Sequence, residues 1–192
     1  MPDALPRRHV HTRSIRVEAY ARDDGLWDIE AELIDRKSKD FTLATGVRKV
    51  GEPVHEMRLA ITIDAKLNVL DARANSVWVP YPGYCETIAP EYRKLIGLNL
   101  GKDFRRHVRE RLGSTRGCTH LTELTNVFPS AAMQAFANEV YQTRDAAQTD
   151  HHADQQKPFQ LDRCHALRST GPAVAKFYPR WHLAGDAGQE NN

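Results

Sequence analysis

Three cysteines, at positions 85, 118 and 164, are too few and too scattered for a disulfide framework. The chain is therefore expected in a reducing, cytoplasmic setting, with its thiols free or metal-bound. Long apolar runs are missing too. None approaches the ~20 residues a membrane helix needs, so no membrane partner is expected. No sign of charge dominates. The 27 basic residues face 25 acidic ones, for a net charge of +2, which gives no reason to expect nucleic acid as a partner. The opening Met1-Pro2-Asp3-Ala4-Leu5-Pro6-Arg7-Arg8 has no apolar core after its arginines, so no signal peptide is expected. There is no internal repeat. A chain of 192 residues can bury roughly 70% of its unfolded surface and needs no covalent staples.

Hydrophobic period divides the chain. Residues 1–14 are rich in proline and arginine and read as a surface arm. Ile15 to Ala21 is strand-like, and Asp23-Asp24-Gly25 signals a turn. Trp27, Ile29, Ala31 and Leu33 then alternate with Asp28, Glu30 and Glu32, as on a strand with one wet face. Residues 36–53 read as a polar loop, with room for a short strand near Thr45–Val50. Met57, Leu59, Ile61 and Ile63 share one strand face, and by the same parity His55 points with them. Val69 to Val77 makes the return strand.

After that the period becomes helical. Tyr92, Leu95 and Ile96 predict a short helix with Pro90 in its first turn. Phe104, Val108 and Leu112 predict a second helix, ended by Gly113. Cys118 opens a third, with Leu121, Leu124 and Val127 on one face. Pro129-Ser130 is read as a break, after which Ala132, Met133, Phe136 and Val140 carry a fourth. Strands first and helices after predict an α+β fold, an antiparallel β-meander with helices packed on one face. The expected domain spans 15–143. A linker and C-terminal strap follow over 144–183, the strap holding Leu161–Leu167 and the aromatic run Phe177–Trp181. A disordered tail covers 184–192.

Gly117-Cys118-Thr119-His120 carries the first chemical signal. A cysteine at a helix N-terminus is favoured as thiolate by the helix dipole, and thiolate is the form that binds metal. His55 and Cys85 also sit at junctions between elements. An imidazole and two thiolates make a Cys2His set with one open position, a pattern of catalytic zinc. The expected metal ligands are thus His55, Cys85 and Cys118. On a helix His120 would point away from Cys118, two residues earlier, so it is assigned acid–base work. Arg13 and Asp24, expected near one another across the first strand pair, are counted with His120 as the catalytic residues, Arg13 holding a substrate anion or polar group. His11, Trp78, Tyr81 and Tyr84 are the expected substrate-binding residues. Cys164-His165 is read as structural and His151-His152 as solvated.

Residues 54–125 resemble the iron–sulfur scaffold family of the NifU/IscU type. The resemblance rests on His55-Glu56-Met57, Asp71-Ala72-Arg73, Cys85, Leu95-Ile96-Gly97 and Cys118, in that order. It implies an IscU-like core with extra N-terminal strands. The chain departs from the pattern at His55, where scaffolds have cysteine, at Met57, where they have aspartate, and at Gly117, where they have histidine. The whole chain also resembles a bacterial family of unknown function through His11-Thr12-Arg13, Asp24-Gly25-Leu26-Trp27, Val54-His55-Glu56-Met57, Gly117-Cys118-Thr119-His120-Leu121 and Cys164-His165-Ala166-Leu167.

The expected function is a zinc-dependent lyase, by retro-aldol or eliminative cleavage, on a small organic substrate, aromatic ones included. Hydrolysis fits the same parts. The alternatives are an iron–sulfur cluster or persulfide carrier, as the scaffold resemblance implies, and a non-catalytic small-molecule binding module. A small molecule is the expected partner, and self-association is left open.

Overall fold

The computed structural model describes residues 5–141, 143 and 157–184. Six strands come first: β1 (His11–Ala21), β2 (Trp27–Lys37), β3 (Phe41–Leu43), β4 (Gly46–Arg48), β5 (Pro53–Ile63) and β6 (Val69–Trp78). Four of them form one antiparallel sheet in the order β1-β2-β5-β6, and β3 and β4 form a separate two-stranded hairpin. The fold is α+β, an antiparallel sheet followed by a few helices.

Register follows from burial. Leu33 pairs with Met57, Ala31 with Leu59 and Ile29 with Ile61, and all six are buried. Each large aliphatic side chain taken out of water contributes about 1.5–3 kcal/mol. A slip of one residue would turn the whole stripe to solvent. The opposite parity carries Arg16, Glu32 and Arg58, with Arg58 Nε donating to Glu32 at 3.0 Å.

Several expectations need correction. β1 starts at His11, inside the stretch read as an arm. The stretch over 36–53 does hold a short strand near Thr45–Val50, β4, but pairs it with β3, which the loop reading did not include. Residues Cys85–Leu95 form a 3-10 stretch with Pro90 inside it. Proline lacks an N–H and excludes an α-helical ladder through its own position. Next come α1 (Phe104–Leu112), α2 (Thr119–Thr125) and α3 (Phe128–Phe136). Pro129 lies in the first turn of α3, where a missing N–H costs nothing, so it starts the helix instead of breaking the pattern. Val140 lies beyond its end.

Phe104, Val108 and Leu112 are buried on α1, as their four-residue spacing predicts. α2 packs on β2 and β5 through Leu121 and Leu124. Gly113 and Gly117 let the chain fold tightly between α1 and α2. A Cβ at Gly113 would stand 2.3 Å from the Arg109 carbonyl oxygen, and one at Gly117 2.3 Å from that of Leu112.

The chain divides into two compact units, the first up to Ala135 and the second from Phe136. In the second, the strap is helical: α4 (Pro172–Phe177) is flanked by 3-10 turns at His165–Leu167 and Pro179–Trp181. His151-His152, nearly all of the linker and the tail from 185 lie outside the described residues.

Asp162 organises this unit. Its oxygens accept Lys157 Nζ, the Ser169 amide and the Ser169 hydroxyl, each at 2.6 Å. These bonds, Lys157's foremost, hold the carboxyl well below the usual carboxylate range. A depressed folded-state pKa contributes stability above the unfolded value, about 3.9, that is lost as pH falls below it. Hydrogen exchange at the Ser169 amide, corrected for intrinsic rate, is expected to accelerate below about pH 4. In Asp162→Asn the amide should be loose at every pH.

Candidate functional site

The apolar stripe of the sheet ends in a polar cluster, and strand register explains why. Arg13 on β1 pairs with Asp35 on β2, and Asp35 pairs with His55 on β5. All three have the parity of the buried residues, and so does His11, two positions before Arg13. α2 crosses the same face and delivers His120.

Asp35 is the hub, only 3% exposed. Arg13 grips it at two points, Nε to Oδ1 and Nη2 to Oδ2, each at 2.8 Å. His11 Nε2 lies 2.8 Å from Oδ1. His55 Nδ1 lies 3.2 Å from Oδ2, and His120 Nε2 lies 3.7 Å from the same oxygen. The His55 and His120 rings stack with centroids 3.8 Å apart. Arg13 also pairs through Nη1 with Glu123, one turn beyond His120 on α2.

Charge follows from these contacts. Burial works to raise the Asp35 carboxyl, but the hydrogen bonds from Arg13 and His11 outweigh it and bring it down to about 2. Asp35 is therefore ionised and can only accept, so His11 and His55 must donate to it. Burial pushes the His55 imidazole down, helped by His120 and opposed by Asp35. His120 is pushed down by burial and then by the charge of Arg13. Both rings are thus neutral at neutral pH, the form in which imidazole ligates metal.

The cluster forms one wall of a cavity of about 370 Å³, whose other walls are Lys37, Phe41, Leu43, Val54, Pro80 and Tyr81. The hairpin closes one side. Thr45 Oγ1 donates to the Pro80 carbonyl at 2.6 Å, Arg48 Nη2 donates to that of Val79 at 2.8 Å, and Arg48 lies over the Trp78 ring.

Of the residues expected from sequence, His11, Arg13, His55 and His120 meet here, and Tyr81 lines the cavity. Asp24 does not. It lies in the β1–β2 turn, paired with Arg22, while Arg13 is near the other end of β1, on the order of 25 Å away at ~3.3 Å per residue. Trp78 stacks on Arg48, and Tyr84 is 81% exposed; neither lines the cavity.

The expected ligand set also needs correction. The His, Cys, Asp and Glu groups whose ligand atoms all lie within 4.8 Å of one another are, among the described residues, Asp35, His55 and His120. Neither Cys85 nor Cys118 is a member. Cys85 opens the 3-10 stretch after Tyr81. Cys118 is the extended N-cap residue of α2, not a helical one, so the two-residue offset does not turn His120 away. Cys118 Sγ sits 3.8 Å from His120 Nδ1, on the opposite side of the ring from Asp35.

Tyr92 sets the start of α2. Its hydroxyl accepts the Cys118 amide at 3.0 Å, donates to the Cys118 carbonyl at 2.8 Å and lies 2.7 Å from Thr122 Oγ1.

Residues 11–134 match the family described as protein of unknown function (DUF2889). No curated protein and no solved structure matches the chain. The IscU-like resemblance is accordingly not supported. No helix among the described residues is long and apolar enough to cross a membrane.

Proposed function

The chain belongs to this family of unknown function (DUF2889), and we propose, from the site alone, that it is a metal-dependent lyase for a small organic substrate. The ion would be held by Asp35, His55 and His120. The observation that carries the reading is the triangle of Asp35 Oδ2, His55 Nδ1 and His120 Nε2; to ligate, the neutral His55 ring would shift its proton from Nδ1, where it serves Asp35, to Nε2. Tetrahedral zinc at 2.0–2.1 Å keeps its donors about 3.3 Å apart, close to the 3.2 and 3.7 Å separations from Oδ2. Two imidazoles and a carboxylate also suit other first-row cations. Arg13 and His11 hold the carboxylate from behind, as hydrogen-bonding partners of ligating groups do.

An ion bound there supplies Lewis acidity toward a substrate oxygen. The remaining work falls to the chain. His11 keeps one ring nitrogen on Asp35, and its Nδ1 has no hydrogen-bond partner among the described residues. A carboxylate-oriented imidazole on the cavity wall is equipped to take or return a proton. The hairpin and Pro80 shield one side from water. Retro-aldol or eliminative cleavage needs a Lewis acid and a proton carrier and no organic cofactor. Iron–sulfur carriage loses its support, because the cluster contains no thiol.

A second reading keeps these residues and dispenses with the ion. It is favoured by the two-point grip of Arg13, which already neutralises Asp35. Metal content separates the two. Protein purified without an affinity tag, stripped with chelator and titrated with zinc should bind one ion per chain. Cys85→Ser and Cys118→Ser should leave that stoichiometry unchanged. Failure to bind zinc at micromolar concentration would sink the metal reading, and loss of binding in both cysteine variants would sink the ligand set.

A further inference from the structure

We propose that the cavity beside Asp35 binds a small aromatic carboxylate, its ring on the Phe41–Tyr81 side and its anion at Lys37. This deepens the function read above and rests on it for the reaction, though not for the binding.

Charge around the cavity is the first support. Its walls carry one carboxylate, Asp35, which Arg13 already compensates at two points. Lys37, the last residue of β2, makes no ion pair among the described residues. Its Nζ stands 5.1 Å from the centroid of the Phe41 ring. A lysine at a cavity wall whose contact is an aromatic face keeps ammonium protons for a ligand. One uncommitted cation suits a singly charged carboxylate better than a phosphate dianion, whose three oxygens call for more donors.

Shape is the second support. At about 370 Å³, the cavity lies near the small end of the ~300–1,000 Å³ typical of ligand pockets. Away from the Asp35 cluster and Lys37, its wall is made by Phe41, Leu43, Val54, Pro80 and Tyr81 and is mostly apolar. Phe41 comes from the hairpin and Tyr81 from the segment to which Thr45 and Arg48 tie that hairpin. The two rings thus belong to one braced wall, ready for a flat apolar body. The ligand then spans from Lys37 toward the imidazoles, bringing its reactive carbon to the side where His11, His55 and His120 lie.

Calorimetric titration of the whole chain, both chelator-treated and zinc-loaded, with 3-phenylpropionate, 3-phenylpropionamide, 3-cyclohexylpropionate and phenyl phosphate tests this. The aromatic carboxylate is expected to bind at least tenfold tighter than each of the other three. Lys37→Met should weaken the carboxylate about tenfold and leave the amide unchanged, Lys37→Arg should restore it, and Phe41→Ala should erase the preference over the cyclohexyl analogue. Thermal midpoints of the variants show that they are folded. Equal binding of acid and amide, or a carboxylate indifferent to Lys37→Met, would overturn the proposal, as would no binding at millimolar concentration. Lys37-dependent binding to chelator-treated protein that takes up no zinc would uphold this inference while ending the metal reading.

Discussion

Replacement of Asp35 by alanine is expected to cost about 3 kcal/mol of folding stability and to abolish zinc binding. The cost comes from what the carboxylate leaves behind. Arg13, His11 and His55 all point donors at it, and truncation strands all three at the end of the core. Breaking a buried ion pair from one side typically costs 3–5 kcal/mol. The Arg13 side chain is 32% exposed, so water can partly rescue its charge and the lower end applies. Asp35→Asn keeps the volume but turns an acceptor into a donor. Either Arg13 or the imidazole pair then faces a donor, and the proposed ion would lose its anionic ligand. Urea unfolding and zinc titration measure the two effects separately. A loss below about 1 kcal/mol would show that the cluster does not hold this end of the sheet. Zinc binding by the asparagine variant at wild-type affinity would remove Asp35 from the ligand set.

How much of this could be read from the chain depended on parity and on strand length. The stripe of Ile29, Ala31 and Leu33, and its partner Met57, Leu59, Ile61 and Ile63, is legible because alternation is local. Asp35 continues the same stripe but was missed, because charged Asp35-Arg36-Lys37 looks like a strand end, and ending β2 early hides a carboxylate on the buried face. Lys37 and Phe41 vanish into the same apparent loop. His55 was found by its parity. The cysteines misled for a different reason. Position at a junction says that a residue is near a sheet end, not which end or which direction it faces. Cys85 and Cys118 occupy such junctions, yet neither joins the Asp35 group, and from α2 it is His120 that approaches the carboxylate. Its reach depends on where α2 begins. Cys118 is extended, so the helix starts one residue later than a reading with Cys118 inside it would have, and His120 moves round toward the sheet. No local pattern encodes the contact that sets this start, because Tyr92 is 26 residues away.

That contact gives the second large effect. Tyr92→Phe is expected to cost about 2 kcal/mol and to weaken zinc binding by ten- to a hundredfold, although Tyr92 touches neither cavity nor ligand atom. The hydroxyl is fully buried with the rest of the side chain and serves the Cys118 amide, the Cys118 carbonyl and Thr122 together. Phenylalanine fills the same space, so packing survives, but the Cys118 N–H loses its acceptor. A buried polar group left unpaired costs about 1–3 kcal/mol. The chain can recover that bond only by letting water in or by shifting the first turn of α2. Either response moves His120, two residues on, relative to Oδ2 of Asp35. Positioning residues of this kind commonly change metal affinity by 10–100-fold. Val108→Ala on α1 is the control, since it truncates the core without touching the start of α2. It should lower stability with zinc affinity intact. If Tyr92→Phe and Val108→Ala reduce zinc affinity equally at 25 °C, well below both thermal midpoints, Tyr92 acts through stability alone and does not position His120.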